Sequence, residues 1–206
     1  MKSRPYQYRF VAGNLSLDFV NTVAYRFHPE KLEDHLESEV DLRRWAHQAR
    51  LPDLRAIHRS PGMSRKMLRR IREVREQLFA IFHAIARGAP IPADALRRIE
   101  QSLRHCCARR TLAAHGAKVR WIWRPEAGGS DFLLYPVLTA AAALLTSGAR
   151  GLVRQCADAE CGWLFLDRSH AGQRRWCRMA DCGNRNKARE HYRRHKRRPN
   201  SPRSTK

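Results

Sequence analysis

The hydrophobic positions between residues 64 and 107 repeat with the period of an α-helix. From Ser64 to Arg87 the apolar side chains fall on one stripe, and Arg and Glu fill the opposite face; the stripe comprises Met67, Ile71, Val74, Leu78, Ile81, Phe82 and Ile85. Gly88 is a natural stop for this helix. Pro92 opens another, with Leu96, Ile99, Leu103 and Cys106 on its apolar side. The pattern predicts two successive amphipathic helices.

Shorter helices are predicted nearer the start of the chain. Leu15, Phe19 and Val23 are spaced by four residues, which favours a helix. Asn14 can cap this helix. Leu15, Leu17 and Phe19 also occupy alternate positions, so a strand is an alternative for this segment. Asp41 can cap a further helix that Pro52 ends; its apolar positions are Leu42, Trp45 and Ala49.

The period changes to that of a strand after residue 115. In "KVRWIWRPE", residues 118–126, Val119, Trp121 and Trp123 alternate with other side chains, between turns at 115–116 and 128–130. The two tryptophans are expected in the core rather than on a base-stacking platform. "DFLLY", residues 131–135, predicts another strand, and residues 136–147 predict a buried helix with Pro136 in its first turn. Residues 5–148 are therefore expected to form a mostly helical domain with a small antiparallel sheet.

The chain is strongly basic. The chain holds 41 Lys and Arg against 19 Asp and Glu, a net charge of +22. Such an excess repels itself in a compact fold and suits a polyanionic partner, above all nucleic acid. High Arg usage from a GC-rich genome is the alternative without a partner. Charge is densest at the end, where residues 151–206 carry 15 Lys and Arg against 5 Asp and Glu.

Membrane insertion is not expected. No signal peptide is recognisable near Met1, and the uncharged run at residues 132–149 is interrupted by Pro, Thr, Ser and Gly, so it fits a buried helix better. We expect a cytoplasmic protein. In a reducing compartment its cysteines point to metal binding or buried thiols rather than disulfides.

Four of the six cysteines form two matched pairs with C-x4-C spacing. They are separated by 15 residues, and the set comprises Cys156, Cys161, Cys177 and Cys182. Four thiolates close a tetrahedral shell, which predicts one structural Zn²⁺; an iron–sulfur cluster or redox thiols are the alternatives. His170 is a weaker candidate ligand, because "WLFLD" and "RRWC" are plausible paired strands and His170 would lie at their turn. The predicted centre has no open position for catalysis.

Arginines cluster around these ligands in sequence. Their positive charges can offset the net negative charge of a zinc ion bound by four thiolates. The cluster comprises Arg154, Arg174, Arg175, Arg178 and Arg185. The segment has few large apolar residues, so metal binding is expected to supply much of its folding free energy. On this view Cys161→Ser or Cys182→Ser unfolds the C-terminal piece and leaves the first domain folded.

A basic helix is predicted from about Asn184 to Arg198, where Pro199 stops it. Its candidate contacts to nucleic acid are Arg185, Lys187, Arg189, Tyr192, Arg193, Arg194, Lys196 and Arg197. The alternatives are a solvated tail, or contacts with acidic groups of this protein. Residues 199–206 are expected to be a disordered tail.

Residues 152–195 resemble the CGNR zinc finger, a family named for the run Cys182-Gly183-Asn184-Arg185. The stretches "CADAECGWLFLDRS" and "RRWCRMADCGNRNKAREHYRRH" also match its pattern. "GNLSLDFVNTV", residues 13–23, resembles the start of the ABATE domain, which is usually paired with this finger and is described as a stress-induced transcription regulator. The resemblance implies a bacterial zinc-binding regulator that contacts DNA, with the four cysteines as ligands.

The predicted architecture is α+β, with an ABATE-like regulatory domain at residues 5–148 and a CGNR-type finger at 152–198 built from a hairpin and a basic helix. We expect Gly183 to let the backbone approach a ligand sulfur and Asn184 to cap the helix. The favoured function is a DNA-binding transcriptional regulator whose first domain senses a small molecule or mediates assembly, with double-stranded DNA as the partner. An RNA- or ribosome-associated protein and a protein-interaction module are the alternatives.

Other residues carry weaker signals. Asp18 and Asn21 share a helix face and could line a small pocket, although local capping and hydrogen bonding is favoured. Cys106 and Cys107 are expected to be core thiols rather than a redox pair. The ten histidines show no paired spacing on inspection, and no enzyme motif is present, so an enzyme is not expected.

Overall fold

The computed structural model describes residues 5–51, 64–108, 110–123 and 133–196, and for Arg110, Arg120 and Trp123 the backbone only. The expectations for Pro52, the turn at 128–130, the side chain of Trp123, Arg197, Arg198 and the tail at 199–206 lie outside the described residues. Within them the protein is α+β, as expected, with helices carrying most of the N-terminal part and three small antiparallel sheets.

The helices are α1 (Leu15–Val20), α2 (Glu39–Gln48), α3 (Arg65–Ala86), α4 (Ala93–Cys107), α5 (Leu134–Leu145) and α6 (Asn184–Lys196). The strands are β1 (Val23–Ala24), β2 (Glu33–Asp34), β3 (Arg110–His115), β4 (Lys118–Trp123), β5 (Val153–Gln155) and β6 (Leu164–Leu166). The sheets pair β1 with β2, β3 with β4, and β5 with β6. A π-helical turn, Met179–Gly183, leads directly into α6.

The predicted helices and their caps are largely confirmed. Asn14 caps α1 by accepting a hydrogen bond from the Ser16 amide at 2.9 Å. After α3, Gly88 takes a φ of 63°, and the amide of Ala89 donates to the carbonyl of Ala84 at 2.9 Å. That left-handed C-terminal cap is what the glycine makes possible.

Asp41 does not cap α2. Ser38 does, because its hydroxyl accepts the Asp41 amide at 3.2 Å while the Asp41 carboxylate accepts the Ser38 amide at 3.0 Å. This reciprocal capping box satisfies two amides, where a cap at Asp41 itself would satisfy one.

Three expectations about strands and tryptophans are wrong. The described residues of "DFLLY" enter a helix, since α5 begins at Leu134 and its apolar face is buried. Trp121 is 52% exposed rather than in the core, because β3 and β4 form a separate two-stranded sheet whose outer face carries it. "WLFLD" supplies β6, but its partner is β5 rather than "RRWC".

The two parts of the chain share one hydrophobic core. Leu17, Phe19, Leu78 and Phe82 from α1 and α3 belong to the same buried cluster as Phe165 of β6. Helix α1 packs against α3, α5 and β6, and α3 also packs against β5. The short β5–β6 sheet thus buries its apolar side chains against the N-terminal helices. The expectation that the C-terminal piece unfolds alone did not include this shared core.

A buried ion-pair network fixes β2 against α3. Arg75 is 3% exposed, and its guanidinium donates to both carboxylate oxygens of Asp34 at 2.7 and 2.8 Å. Glu76 bridges Arg75, at 2.8 Å, and Arg26, at 2.6 Å. Because each buried charge has an opposite partner, the network removes the large penalty that an unpaired charge would carry.

Among the described residues no helix has both the length and the apolarity needed to cross a bilayer.

Candidate functional site

The four paired cysteines converge on one point. Their sulfur atoms all lie within 4.8 Å of one another and are buried, and together we call Cys156, Cys161, Cys177 and Cys182 the cysteine cage. The sulfur of Cys177 lies 3.8 Å from that of Cys161 and 3.5 Å from that of Cys182. A tetrahedral zinc ion with Zn–S bonds of about 2.3 Å separates its ligands by about 3.8 Å, so the cage fits zinc.

Short backbone turns aim these sulfurs inward. Cys156 follows β5, and its amide donates to the Trp163 carbonyl at 2.8 Å, which folds the first pair back towards β6. The Cys161 amide closes a turn on the Asp158 carbonyl at 3.0 Å. The Ala157 amide bonds the Arg175 carbonyl at 2.8 Å, and this bond joins the two pairs. His170 lies in an exposed loop and is not part of the cage.

The thiols of the cage affect one another's pKa values. Hydrogen bonds from the thiols of Cys161, Cys177 and Cys182 lower the pKa of Cys156. Hydrogen bonding to the Cys156 sulfur raises the pKa of Cys161 and of Cys177, and burial raises both further. Four buried sulfurs cannot all be anionic without a counter-charge, and a divalent cation supplies that charge.

Arg185 is the side chain that ties the cage to its surroundings. Its guanidinium contacts the Cys182 sulfur at 3.1 Å, the Asp158 carboxylate at 2.7 Å and the Tyr25 hydroxyl at 3.1 Å. Burial alone would lower the pKa of Arg185, but Asp158 and Cys182 raise it above its ordinary value. Arg185 therefore stays cationic beside the thiolates, as the sequence predicted for at least one arginine.

The other arginines near the cage have different partners. Arg174 holds backbone carbonyls, donating to Val11 and Trp176, each at 3.0 Å. Arg154 donates to the Gly151 carbonyl at 2.8 Å. Arg175 lies over the Trp176 ring, and Arg178 pairs with Asp181 at 3.5 Å. Arg174 and Arg154 thus fix the backbone near the site, whereas Arg175 and Arg178 contact side chains.

Asp158 anchors the base of α6, a role that the sequence analysis missed. Its side chain is fully buried, and Arg189 lies 3.3 Å from the carboxylate oxygen that Arg185 leaves free. Glu160 adds a second contact to Arg189 at 2.8 Å. Burial would raise the pKa of Asp158, but the hydrogen bond from Arg185 holds it below its ordinary value. Two acids between Cys156 and Cys161, ahead of a basic helix, were the available signal.

The predicted contacts on α6 separate into two groups. Arg185 and Arg189 contact acids of this protein, which is the alternative role that the sequence leaves open for this helix. No side chain of α6 is buried, and Tyr192 is 67% exposed. Within the described residues Arg194 pairs with Glu190 at 3.6 Å, at an exposed position. The group that faces solvent comprises Lys187, Tyr192, Arg193, Arg194 and Lys196.

The expected role of Asn184 is wrong, and Gly183 has a packing role that was not expected. A Cβ on Gly183 would meet Met179 Sδ at 2.3 Å and Trp176 Cδ1 at 3.1 Å, so these two side chains leave no room for a larger residue. Asn184 has a helical backbone, and its amide group donates to the Ala180 carbonyl at 3.4 Å. The π-helical turn already satisfies the start of α6, so no N-cap is required.

Asp18 and Asn21 both bind backbone groups. Asp18 accepts the Ala12 amide at 3.0 Å, and burial raises its pKa to about 6 although hydrogen bonds from Ala12 and Val11 lower it. Asn21 exchanges two hydrogen bonds with Leu164 of β6, at 2.8 and 2.9 Å. The side chain of Asn21 thus hydrogen-bonds the backbone of β6 and joins that strand to the C-terminal end of α1.

A cavity of about 260 Å³ lies between the cage and the N-terminal part of the chain. Tyr6, Tyr25, Glu33 and His35 form its walls, and Arg185 reaches its edge. Three of the cage residues, Cys161, Cys177 and Cys182, also line it. No local pattern predicts this cavity, because its walls come from segments that are distant in the chain.

Comparison with known families accounts for nearly the whole chain. A family model described as "CGNR zinc finger" matches residues 153–195, which contain the cysteine cage and α6. A family model described as "ABATE: Putative stress-induced transcription regulator" matches residues 13–148. Neither is a family of enzymes, and no curated protein matches significantly. The chain belongs to the ABATE family and carries a C-terminal CGNR zinc finger whose four cysteines can hold one zinc ion.

Proposed function

We propose that the protein is a zinc-dependent, DNA-binding transcriptional regulator in which α6 contacts double-stranded DNA. One observation carries the proposal. Arg185 and Arg189 fix the first half of α6 to the buried Asp158 beside the cage, while the second half presents its cations to solvent. A helix held at one end and free along its length is a suitable shape for a groove of the duplex.

The exposed side chains of α6 match the chemistry of a DNA backbone. Lys187, Arg193, Arg194 and Lys196 offer four cations to phosphates, and Tyr192 can bond a phosphate or pack against a sugar. The helix of 13 residues is about 20 Å long, enough to follow a groove across several base pairs. The net charge of +22 favours association with any polyanion. In this proposal, any preference for double-stranded DNA over other polyanions comes from α6.

Zinc, when bound, holds the four cysteines together and closes its own coordination shell, so its part in this function is structural. The residues of the chain do the rest. Asp158 orients Arg185 and Arg189, and these orient α6 relative to the core. Loss of the cage would therefore remove the fixed position of the DNA-contacting residues of α6, although their charges would remain.

The test is duplex binding by the zinc-loaded protein, measured by fluorescence anisotropy over a range of salt concentrations. The triple substitution of Arg193, Arg194 and Lys196 to Ala should weaken binding on the order of tenfold to a hundredfold. It should also reduce the slope of log K against log salt by about 2 to 3, because up to three phosphate contacts are lost. Zinc content should not change.

A matched control removes three arginines from α4. Arg97, Arg98 and Arg104 are exposed on that helix, so changing them to Ala lowers the net charge equally. If the control weakens binding as much as the α6 variant does, the contact is general electrostatics and α6 is not the interface. Competition with RNA of matched length decides between DNA and the RNA-associated alternative.

The same proposal includes a small polar effector that occupies the cavity beside the cage. An effector there would contact Tyr25 and Arg185, and through them the anchor of α6. Screening polar metabolites for a rise in melting temperature tests this, with Tyr25→Ala as the variant that removes one wall. A ligand that stabilises both proteins equally does not bind in this cavity.

A further inference from the structure

Two histidines on α6 lie one helical turn apart. His191 and His195 are both exposed, and their Nε2 atoms are 2.9 Å apart with ring centroids separated by 4.2 Å. The sequence expectation that the histidines show no paired spacing is therefore wrong for this pair, which has the i,i+4 spacing that places side chains together on a helix. Neither ring belongs to the cysteine cage.

The separation of the two nitrogens matches one coordination geometry better than another. Imidazole nitrogens bound to one metal ion at about 2.0–2.1 Å lie about 2.9 Å apart at right angles and about 3.3 Å apart in a tetrahedron. The pair in α6 is at hydrogen-bond distance, and the same separation is compatible with the right angle. Right-angled sites with nitrogen and oxygen ligands are typical of Cu²⁺ and Ni²⁺.

We propose that His191 and His195 form a second metal site that takes a divalent first-row transition ion of the Ni²⁺ or Cu²⁺ type, with water completing the coordination. The two metal sites are chemically distinct. The cage offers four buried sulfurs, which select zinc, while the pair offers two exposed imidazoles. Exposed cations at Arg194 and Lys187 repel an incoming ion and limit the affinity, and Glu190 partly offsets them.

A metal ion at this position would act on the less supported half of α6. The first half is anchored through Arg185 and Arg189, whereas from His191 to Lys196 no side chain is buried. Short helices without tertiary packing are marginal in water, so a bridge between successive turns shifts this half towards the ordered helix. Any effect on DNA rests on the proposed function, but the metal site itself does not.

The test is calorimetric titration of the full-length, zinc-loaded protein with Ni²⁺, which avoids the redox chemistry of copper with thiols. We expect one Ni²⁺ per chain with no release of zinc, the latter followed with a chromogenic zinc chelator. His191→Ala and His195→Ala should each weaken Ni²⁺ binding on the order of a hundredfold, because the second ligand no longer acts intramolecularly. Hydrogen exchange of residues 191–196 should slow on Ni²⁺ addition.

Two controls make the result specific to the pair. His170→Ala removes an exposed histidine elsewhere and should leave Ni²⁺ binding unchanged. The double change His195→Ala with Lys196→His keeps two histidines on α6 but turns them to different faces, and it should lose binding. The proposal is overturned if no Ni²⁺ binds, or if binding persists in the single histidine variants; the two rings would then only hydrogen-bond each other.

Discussion

Arg185 shows how one residue can carry two predictions from sequence, one beside the metal ligands and one on nucleic acid. It belongs to the CGNR run, and its charge suggested DNA, yet its guanidinium is used by Cys182, Asp158 and Tyr25. Tyr25 reaches it from a left-handed backbone with a φ of 51°, which is uncommon for a residue with a side chain. Arg185 thus links a cysteine of the cage, a buried acid and the N-terminal part of the chain.

Asp18 gives a prediction about pH at the same scale. Burial raises its pKa to about 6, above the ordinary value of an aspartate. The folded state therefore holds this proton more tightly than the unfolded state does. The stabilisation is complete below about pH 4 and is lost as the pH rises through about 6. At neutral pH the charged carboxylate thus costs free energy that a neutral amide would not.

We expect Asp18→Asn to raise the free energy of unfolding at pH 7 by less than about 3 kcal/mol, since the amide oxygen can still accept the Ala12 amide but the amide nitrogen cannot accept the Val11 amide. The gain over wild type should shrink between pH 7 and pH 5. Urea unfolding of both zinc-loaded proteins at several pH values measures this difference. Asp94→Asn, at an exposed position, is the control without such a dependence. A difference independent of pH would mean that Asp18 does not carry the perturbed proton.

At the scale of elements, periodicity predicts well where it covers several turns. Helices α3 and α4 were found from their stripes because apolar residues such as Ile71 and Leu78 are buried together. Pairing of short strands could not be found in this way. Three-residue strands carry almost no periodic signal, so the choice between β5 and "RRWC" as the partner of β6 depends on the contacts that β5 makes with α3.

The cage was predictable because the spacing of cysteines is itself a chemical signal. Its surroundings were not. The walls of the cavity, the anchor at Asp158 and the link from Asn21 to Leu164 each join residues far apart in the chain. The acids between Cys156 and Cys161 are a local signal for the anchor alone. Nothing local marks Asn21 or the walls of the cavity, since an asparagine has the same sequence context whether its partner is water or a distant strand.

The turn between Cys161 and β6 carries a prediction about how two elements fit. Gly162 has a φ of 73°, and a Cβ there would lie 2.7 Å from the Cβ of Arg26. Gly162→Ala should lower the free energy of unfolding by about 2–4 kcal/mol, from backbone strain together with overpacking against a rigid neighbour. Thermal or urea unfolding of the zinc-loaded protein measures the loss.

Gly172→Ala isolates the backbone contribution. Gly172 has a φ of 61°, but no atom of the described residues lies within 4 Å of where its Cβ would be, so this change should cost only about 1–2 kcal/mol. Equal losses in the two variants would show that the contact between this turn and Arg26 is looser than the structure has it.

At the scale of the whole molecule, the two family regions behave as parts of one folded body. Leu164, Phe165 and Leu166 are buried among side chains of α1 and α3, and the Leu166 amide donates to the Ala12 carbonyl at 2.8 Å. The Trp163 indole donates to the Val23 carbonyl at 2.9 Å. A core shared in this way couples the metal centre to helices that contain no metal ligand.

We therefore expect zinc removal to destabilise the N-terminal helices as well as the finger. Structural zinc contributes on the order of 10 kcal/mol of folding free energy in finger peptides, which is comparable to the total stability of a typical domain. Adding a zinc chelator, or making Cys182→Ser, should speed amide hydrogen exchange in α3 and α5 together with that in β5 and β6. Readdition of zinc to the chelated protein should restore protection.

Cys107→Ser is the matched control, because Cys107 is exposed and lies outside the cage. It should leave exchange in all four elements unchanged. If Cys182→Ser instead exposes only residues 153–196 while α3 and α5 keep their protection, the finger is a separate folding unit and the shared core contributes little. Because Phe165 and Leu164 are fully buried against those helices, separate unfolding would have to expose both sides of that contact to water.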